Sequence, residues 1–231
     1  MEITPDMVQQ ISIRLRQCKT ATIYDVLDKL GYPNQCLDLA IKPLDPGMRI
    51  AGPAFTIRGT REPRYDSNFP RPQFDDFGMF KAMTKGCIVV INAEKDQLVG
   101  HWGEMMSLVA QQFGATGAVI DGGTRDREGI LNIPGWGLFT RYTSPIESKS
   151  RWRSQEFGIP IYMSGTTTSV VLVQSGDYVV GDADGVLVIP SELVDRVLVE
   201  AERTEVLEEG TRRDLAAGHP IWEVYQRYQR M

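Results

Sequence analysis

Glu104, Arg125 and Asp126 are the side chains in this chain whose types and spacing could do chemistry together. Glu104 follows Gly103 at the start of an apolar-striped segment, and Arg125-Asp126 follows the run Asp121-Gly122-Gly123-Thr124. The two carboxylates are hard oxygen donors suited to a divalent cation, Mg²⁺ or Mn²⁺ with several retained waters. Arg125 can fork onto a carbonyl or enolate oxygen and hold negative charge as it develops. Gly103 lets the backbone approach closely, and the free N–H groups of Met105 and Met106 in a first helical turn form an anion site for a carboxylate. Together these groups suit carbon–carbon cleavage beside a carbonyl. Taken singly, each has a plainer reading: the Arg-Asp pair as a solvated ion pair or cap, Glu104 as a favourable first-turn carboxylate.

The elements around them give the two segments a reason to meet. Cys87 to Ile91 is a short apolar run suited to a buried strand. Glu104 to Phe113 carries Met105, Leu108, Val109 and Phe113 at helical spacing, and Gly117 to Ile120 is a second apolar strand. This predicts a βαβ unit with parallel strands and a right-handed crossover. Groups placed after the carboxyl ends of such strands share one crevice. In neighbouring strands, about 4.8 Å apart, they can face one small ligand.

Elsewhere, Thr4-Pro5-Asp6 predicts a helix reaching about Cys18, and Ile23, Val26, Leu27 and Leu30 a second one stopped by Gly31. Met48 to Arg58 reads as an edge or bulged strand interrupted by Gly52 and Pro53. Gly59 to Phe77 has no period and reads as a long loop, either functional or a surface excursion. Tyr178 to Val180 and Val186 to Ile189 flank a tight turn at Gly181-Asp182-Ala183-Asp184-Gly185, and Pro190 opens a charged helix through about Glu209. With no repeat or linker, residues 1–231 read as one domain, with N-terminal helices at about 5–31 and a C-terminal helical extension at about 190–231.

Composition removes several classes. The net charge of −5 lacks the basic excess that phosphate binding draws on, and the arginines at 58, 61, 64 and 71 are interleaved with acids, so no nucleic-acid partner is expected. The three cysteines lack paired spacing and fit reduced thiols. His101 and His219 are the two histidines and have no companion at ligand spacing, which argues against zinc or a Ser-His-Asp triad. No signal peptide or membrane-length apolar run is seen, so a cytoplasmic location with no membrane partner is expected.

The spacing Gly103-Glu104, twenty residues, Arg125-Asp126, together with Gly-Ala-Val-Ile-Asp-Gly-Gly-Thr-Arg-Asp at 117–126, resembles the 4-hydroxy-4-methyl-2-oxoglutarate aldolase family, which includes the regulators of ribonuclease E activity type A (RraA-like). Thr20-Ala21-Thr22, Ala51-Gly52-Pro53-Ala54 and Gly181 to Val186 support it, and the likeness spans about residues 20–218. The resemblance implies an α/β fold, a β/β/α swivelling-type domain forming trimers or hexamers with sites between subunits. It also implies a metal-dependent retro-aldol reaction releasing pyruvate, with oxaloacetate decarboxylation as a second activity. By that likeness Asp126 anchors the metal, Arg125 holds the substrate carbonyl oxygen and Glu104 orders metal-bound water. A glutamate of the adjacent subunit's C-terminal helix joins them, with Glu208 the best match and Glu205 and Glu209 close behind. Two features depart from relatives: Glu at 104 where Asp is common, and a longer 59–77 segment. A methyltransferase label sometimes attached to the family finds no glycine-rich nucleotide turn here. The competing reading is a regulator that binds a ribonuclease by contact, without turnover.

Overall fold

In the computed structural model, which describes residues 4–61 and 74–229, the chain opens with two short helices, α1 (Pro5–Gln17) and α2 (Thr20–Lys29). The Thr4 hydroxyl accepts from Met7 N–H and Pro5 sits in the first turn, while Gly31 leaves α2 at φ +85°, as their sequence signals predict. The chain then forms β1 (Lys42–Pro43), β2 (Ile50–Arg61), α3 (Asp76–Lys81), β3 (Ile88–Asn92), β4 (Gly100–Trp102), α4 (Glu104–Gln112), β5 (Gly117–Thr124) and α5 (Arg127–Leu131). Next come β6 (Gly137–Thr143), β7 (Trp152–Phe157), β8 (Ile161–Ser164), β9 (Val170–Val173), β10 (Tyr178–Gly181) and β11 (Val186–Ile189). A 3₁₀ turn at Ser191–Leu193 leads into α6 (Val194–Ala216) and α7 (Ile221–Tyr228).

The main sheet runs β1-β6-β5-β3-β2-β10-β11, with β4 added to β5 and β7 to β2, and β8 and β9 form a separate hairpin. Strand alternation sorts its side chains into two layers. Ile88 and Val90 of β3, Val119 of β5 and Val179 of β10 pack with Ile161, Met163, Val171 and Val173 of the hairpin. The intervening Val89, Ile91, Ala118 and Ile120 face the other way, into the helical layer that holds Phe80 and Ala110. At the β10–β11 end, Val180 and Ile189 pack under Leu15, Leu27 and Leu198 of α1, α2 and α6. Hairpin, sheet and helices are thus the three layers of a β/β/α arrangement, each fully buried Val or Ile contributing roughly 1.5–3 kcal/mol. β3, β4, α4 and β5 form the expected βαβ unit, and β3 and β5 pair in parallel. Among the described residues, no helix is long and apolar enough to cross a membrane.

Several expectations need correction. β2 is central, pairing with β3, β7 and β10, and not an edge; the bulge lies at Arg58/Gly59. Pro53 is tolerated because the Ala54 N–H donates to Asp177 O on the β10 side, so position 53 faces β3, whose pairing begins only at Ala54. β5 extends through Thr124, so Asp121 to Thr124 belong to the strand, four residues past its expected end at Ile120. In α4 the buried residues are Ser107 and Ala110, while Met105 is 63% exposed and Leu108 and Phe113 also reach solvent. The apolar stripe read there mostly faces outward. The C-terminal helix runs to Ala216, past Glu209. Of the 59–77 segment, residues 59–61 complete β2 and residues 76–77 open α3; residues 62–73 lie outside the described residues.

Candidate active site

The C-terminal ends of β4 and β5 are tied together where the candidate residues emerge. Trp102 O accepts from the Arg125 N–H at 2.9 Å and from the Thr124 hydroxyl at 2.8 Å. Beyond that tie the chain turns into α4 through Gly103 on one side and into α5 through Arg125 and Asp126 on the other. Gly103, Met105, Met106, Arg125, Asp126 and Glu147 line one cavity of about 290 Å³.

Asp126 sits in the left-handed region at φ 58°, which turns its carboxylate back over the start of α4. Gly103 makes that possible, because a Cβ there would lie 2.7 Å from Asp126 Oδ2. No side chain caps α4, so its first N–H groups remain open to a ligand. Arg125 Nε lies 3.2 Å from Asp126 Oδ2, with the side chains 36% and 40% exposed. A pair this wet contributes about 0–1 kcal/mol to folding, so it is free to serve a ligand.

Glu104 sits differently. Its carboxylate rests against α5, with Oε2 2.4 Å from where a Cβ on Gly129 would be, and it does not line the cavity. Glu147, from the β6–β7 connection, is the second lining carboxylate, and no sequence signal pointed to it; it is brought in by the bridge between its backbone and Gly100. Among the described residues, no three or more His, Cys, Asp or Glu side chains converge as a metal cage. A donor set of one or two carboxylates fits a hard divalent cation that keeps most of its waters.

Beneath the cavity, a buried polar frame holds the strand ends. His101 Nδ1 lies 3.0 Å from the Gly123 nitrogen and 3.3 Å from the Gly123 carbonyl oxygen, accepting from the one or donating to the other according to its tautomer. His101 Nε2 lies 3.2 Å from Asp96 Oδ2, close but off the line of a straight hydrogen bond, and Arg61 Nε holds Asp96 Oδ1 at 2.6 Å. Burial pushes the His101 pKa down, against the pull of the Gly123 carbonyl oxygen and Asp96, both of which favour the protonated ring. Gly122 is glycine because the His101 ring lies over it, 2.7 Å from any Cβ. Asp121 is structural: it pairs with Arg141 of β6, and its other oxygen accepts from Ser164 N at 3.0 Å and Ser164 Oγ at 2.7 Å.

The remaining sequence candidates gather at the opposite end of the sheet. Asp182 accepts from Thr20 N at 3.0 Å and from Thr20 Oγ1 at 2.6 Å, capping α2. Glu205 accepts from Lys19 N and Thr22 Oγ1, and Glu208 lies 3.4 Å from Lys19 Nζ and from Arg212 Nη1. Glu209 is exposed and pairs with Arg212. None of these three glutamates lines the cavity of their own chain.

A family model described as RraA-like, Aldolase/RraA, matches residues 20–188. The chain belongs to this family. Protein DlpA of Legionella pneumophila is 27% identical over 226 residues, covering 97% of this chain but 34% of DlpA, so the chain spans about a third of that relative. A Halalkalibacterium halodurans protein, provisionally named a 4-hydroxy-4-methyl-2-oxoglutarate aldolase, is 31% identical over 208 residues, 88% of this chain and 87% of that protein. The crystal structure of Streptomyces coelicolor RraAS2, described as an unusual member of the RNase ES inhibitor RraA protein family, superposes with a TM-score of 0.72 at 25% identity, covering 88% of this chain and 97% of that one. The family thus carries both an aldolase name and a ribonuclease-inhibitor name.

Proposed function

We propose that the chain is a divalent-metal-dependent aldolase that cleaves a 4-hydroxy-2-oxo acid to pyruvate, with oxaloacetate decarboxylation open to the same site. The observation that carries this reading is the shared cavity of Asp126, Arg125 and the uncapped start of α4. Asp126 is the residue that would hold Mg²⁺ or Mn²⁺, with Glu104 ordering water from its seat on Gly129. The bound cation would supply Lewis-acid polarisation of the 2-oxo group. The N–H groups of Met105 and Met106 would hold the substrate carboxylate. Arg125 would donate to the C2 oxygen and stabilise negative charge there as the C3–C4 bond breaks. The C4 hydroxyl loses its proton and becomes the carbonyl of the leaving fragment, while C3 gains one to give pyruvate.

In this reading the chain works as a homotrimer or hexamer, and Glu208 of the adjacent subunit completes the site, with Glu205 and Glu209 next to it on α6. The test is pyruvate release from a panel of 4-hydroxy-2-oxo acids and oxaloacetate. Activity should vanish in excess EDTA and return with Mg²⁺ or Mn²⁺, at an unchanged melting temperature. Full turnover in EDTA would sink the metal reading.

The likeness to RraAS2 favours a second reading, a regulator that binds a ribonuclease by contact. A chain that cleaves no member of the panel yet slows a ribonuclease stoichiometrically would establish that one instead.

A further inference from the structure

Glu147 gives the cavity a polarity along its length. Its backbone bridges Gly100, and the Gly100 N–H donates to Ile146 O at 2.9 Å, which fixes the segment at the near end of β4. Gly103 and the open start of α4 lie three residues further along, about 10 Å at roughly 3.3 Å per residue. A 2-oxo acid whose carboxylate sits on the α4 N–H groups and whose chain runs back along β4 meets Glu147 at its other end.

The lining charges are Arg125, Asp126 and Glu147. Arg125 lies beside Asp126 and the 2-oxo end, so among the described residues no lining cation remains to receive a second carboxylate. Glu147 itself is exposed, and its carboxylate has no partner among the described residues. A distal carboxylate would thus meet a like charge, whereas a distal hydroxyl could donate to Glu147 or bond with the neighbouring Ser148.

Building on the aldolase reading, we infer that Glu147 is a specificity-determining residue. It selects 4-hydroxy-2-oxo acids whose distal end is uncharged and hydroxylated over those that end in a second carboxylate. Discrimination arises from repulsion of the wrong substrate as much as from attraction of the right one.

The matched pair for the test is 4,5-dihydroxy-2-oxopentanoate and 4-hydroxy-2-oxoglutarate, which share a five-carbon chain and differ at C5. Each releases pyruvate by breaking C3–C4; the first leaves glycolaldehyde and the second glyoxylate. The readout is the ratio of kcat/KM for the two in the Mg²⁺-loaded full chain, for wild type, Glu147→Gln and Glu147→Lys, with melting temperatures alongside. Wild type should favour the dihydroxy acid by about tenfold or more, Glu147→Gln should remove about tenfold of that ratio, and Glu147→Lys should invert it. Added NaCl should shrink the wild-type ratio, because exposed charges are screened. A wild-type preference for the dicarboxylate, or a ratio that moves less than about twofold in both variants, overturns the assignment of Glu147 while leaving the aldolase reading intact. Pyruvate released from neither acid, or release that survives Arg125→Ala unchanged, overturns the aldolase reading and the assignment with it.

Discussion

The Asp126 carboxylate lies in the space where a side chain on Gly103 would begin, its Oδ2 2.7 Å from that point, and Arg125 Cγ is 3.1 Å away. A methyl group at Gly103 must displace the metal-holding candidate, its arginine neighbour, or both. Displacements of about 1 Å in such a constellation cost about 10²-fold in rate. Gly103→Ala should therefore lose about 10²-fold in pyruvate release while melting within a few degrees of wild type, because the site is wet. Wild-type turnover in this variant would show that Asp126 does not act from where it sits.

Arg125 separates an active site from a surface ion pair. If its guanidinium stabilises developing enolate charge, Arg125→Ala should raise the barrier by about 3–4 kcal/mol, or 10²-fold or more in rate. Arg125→Lys keeps the charge without the planar fork and should recover only part of that loss. Unchanged turnover in Arg125→Ala, or a loss that merely tracks a lower melting temperature, rules out the role.

Asp121 should behave in the opposite way. It is buried and ties β5 to Arg141 and Ser164, so Asp121→Ala leaves a half-buried guanidinium with only Asp38 as a partner. Denaturant unfolding should register a loss of about 3 kcal/mol, and any fall in activity should follow the folded fraction. A variant as stable as wild type but inactive would move Asp121 into the chemistry.

His101 predicts a pH dependence. Its folded-state pKa is lowered from 6.5 by burial, so below about 6.5 the unfolded chain binds more protons than the folded one. Stability should therefore be complete above that value and fall on acidification toward the folded-state pKa. His101→Asn, which keeps an acceptor near Nδ1 for the Gly123 N–H, should flatten this part of the curve of melting temperature against pH from 7.5 to 5.5. Identical slopes in wild type and variant would assign the acid sensitivity to other groups.

Local signals were legible wherever chain-local physics decides. Thr4, Pro5 and Gly31 act as caps and stops through their own backbone chemistry, and the βαβ unit follows from apolar runs of strand length. Tertiary effects were harder to see. Asp121-Gly122-Gly123 looks like a turn, yet His101 and Tyr142 need the missing side chains for their rings, so the strand continues through it. The β8–β9 hairpin escaped because Val170 to Val173 is apolar throughout, and burial alternates there with no matching change in residue type. Arg125 and Asp126 meet Gly103 at one cavity as their spacing implied, but Glu104 turns away onto Gly129, and Glu147 is delivered by a backbone bridge that no side-chain pattern encodes.

The central position of β2 sets the order in which the protein can fold. This strand forms early in the chain, yet its neighbours include Trp152–Phe157 and Tyr178–Gly181, the latter more than a hundred residues downstream. Ribosomal synthesis must therefore pass Gly181 before the sheet can close, and until then β2 offers unpaired backbone to any passing strand. Contacts so distant in sequence slow the search, so refolding should be slow for a chain of this length and sensitive to protein concentration.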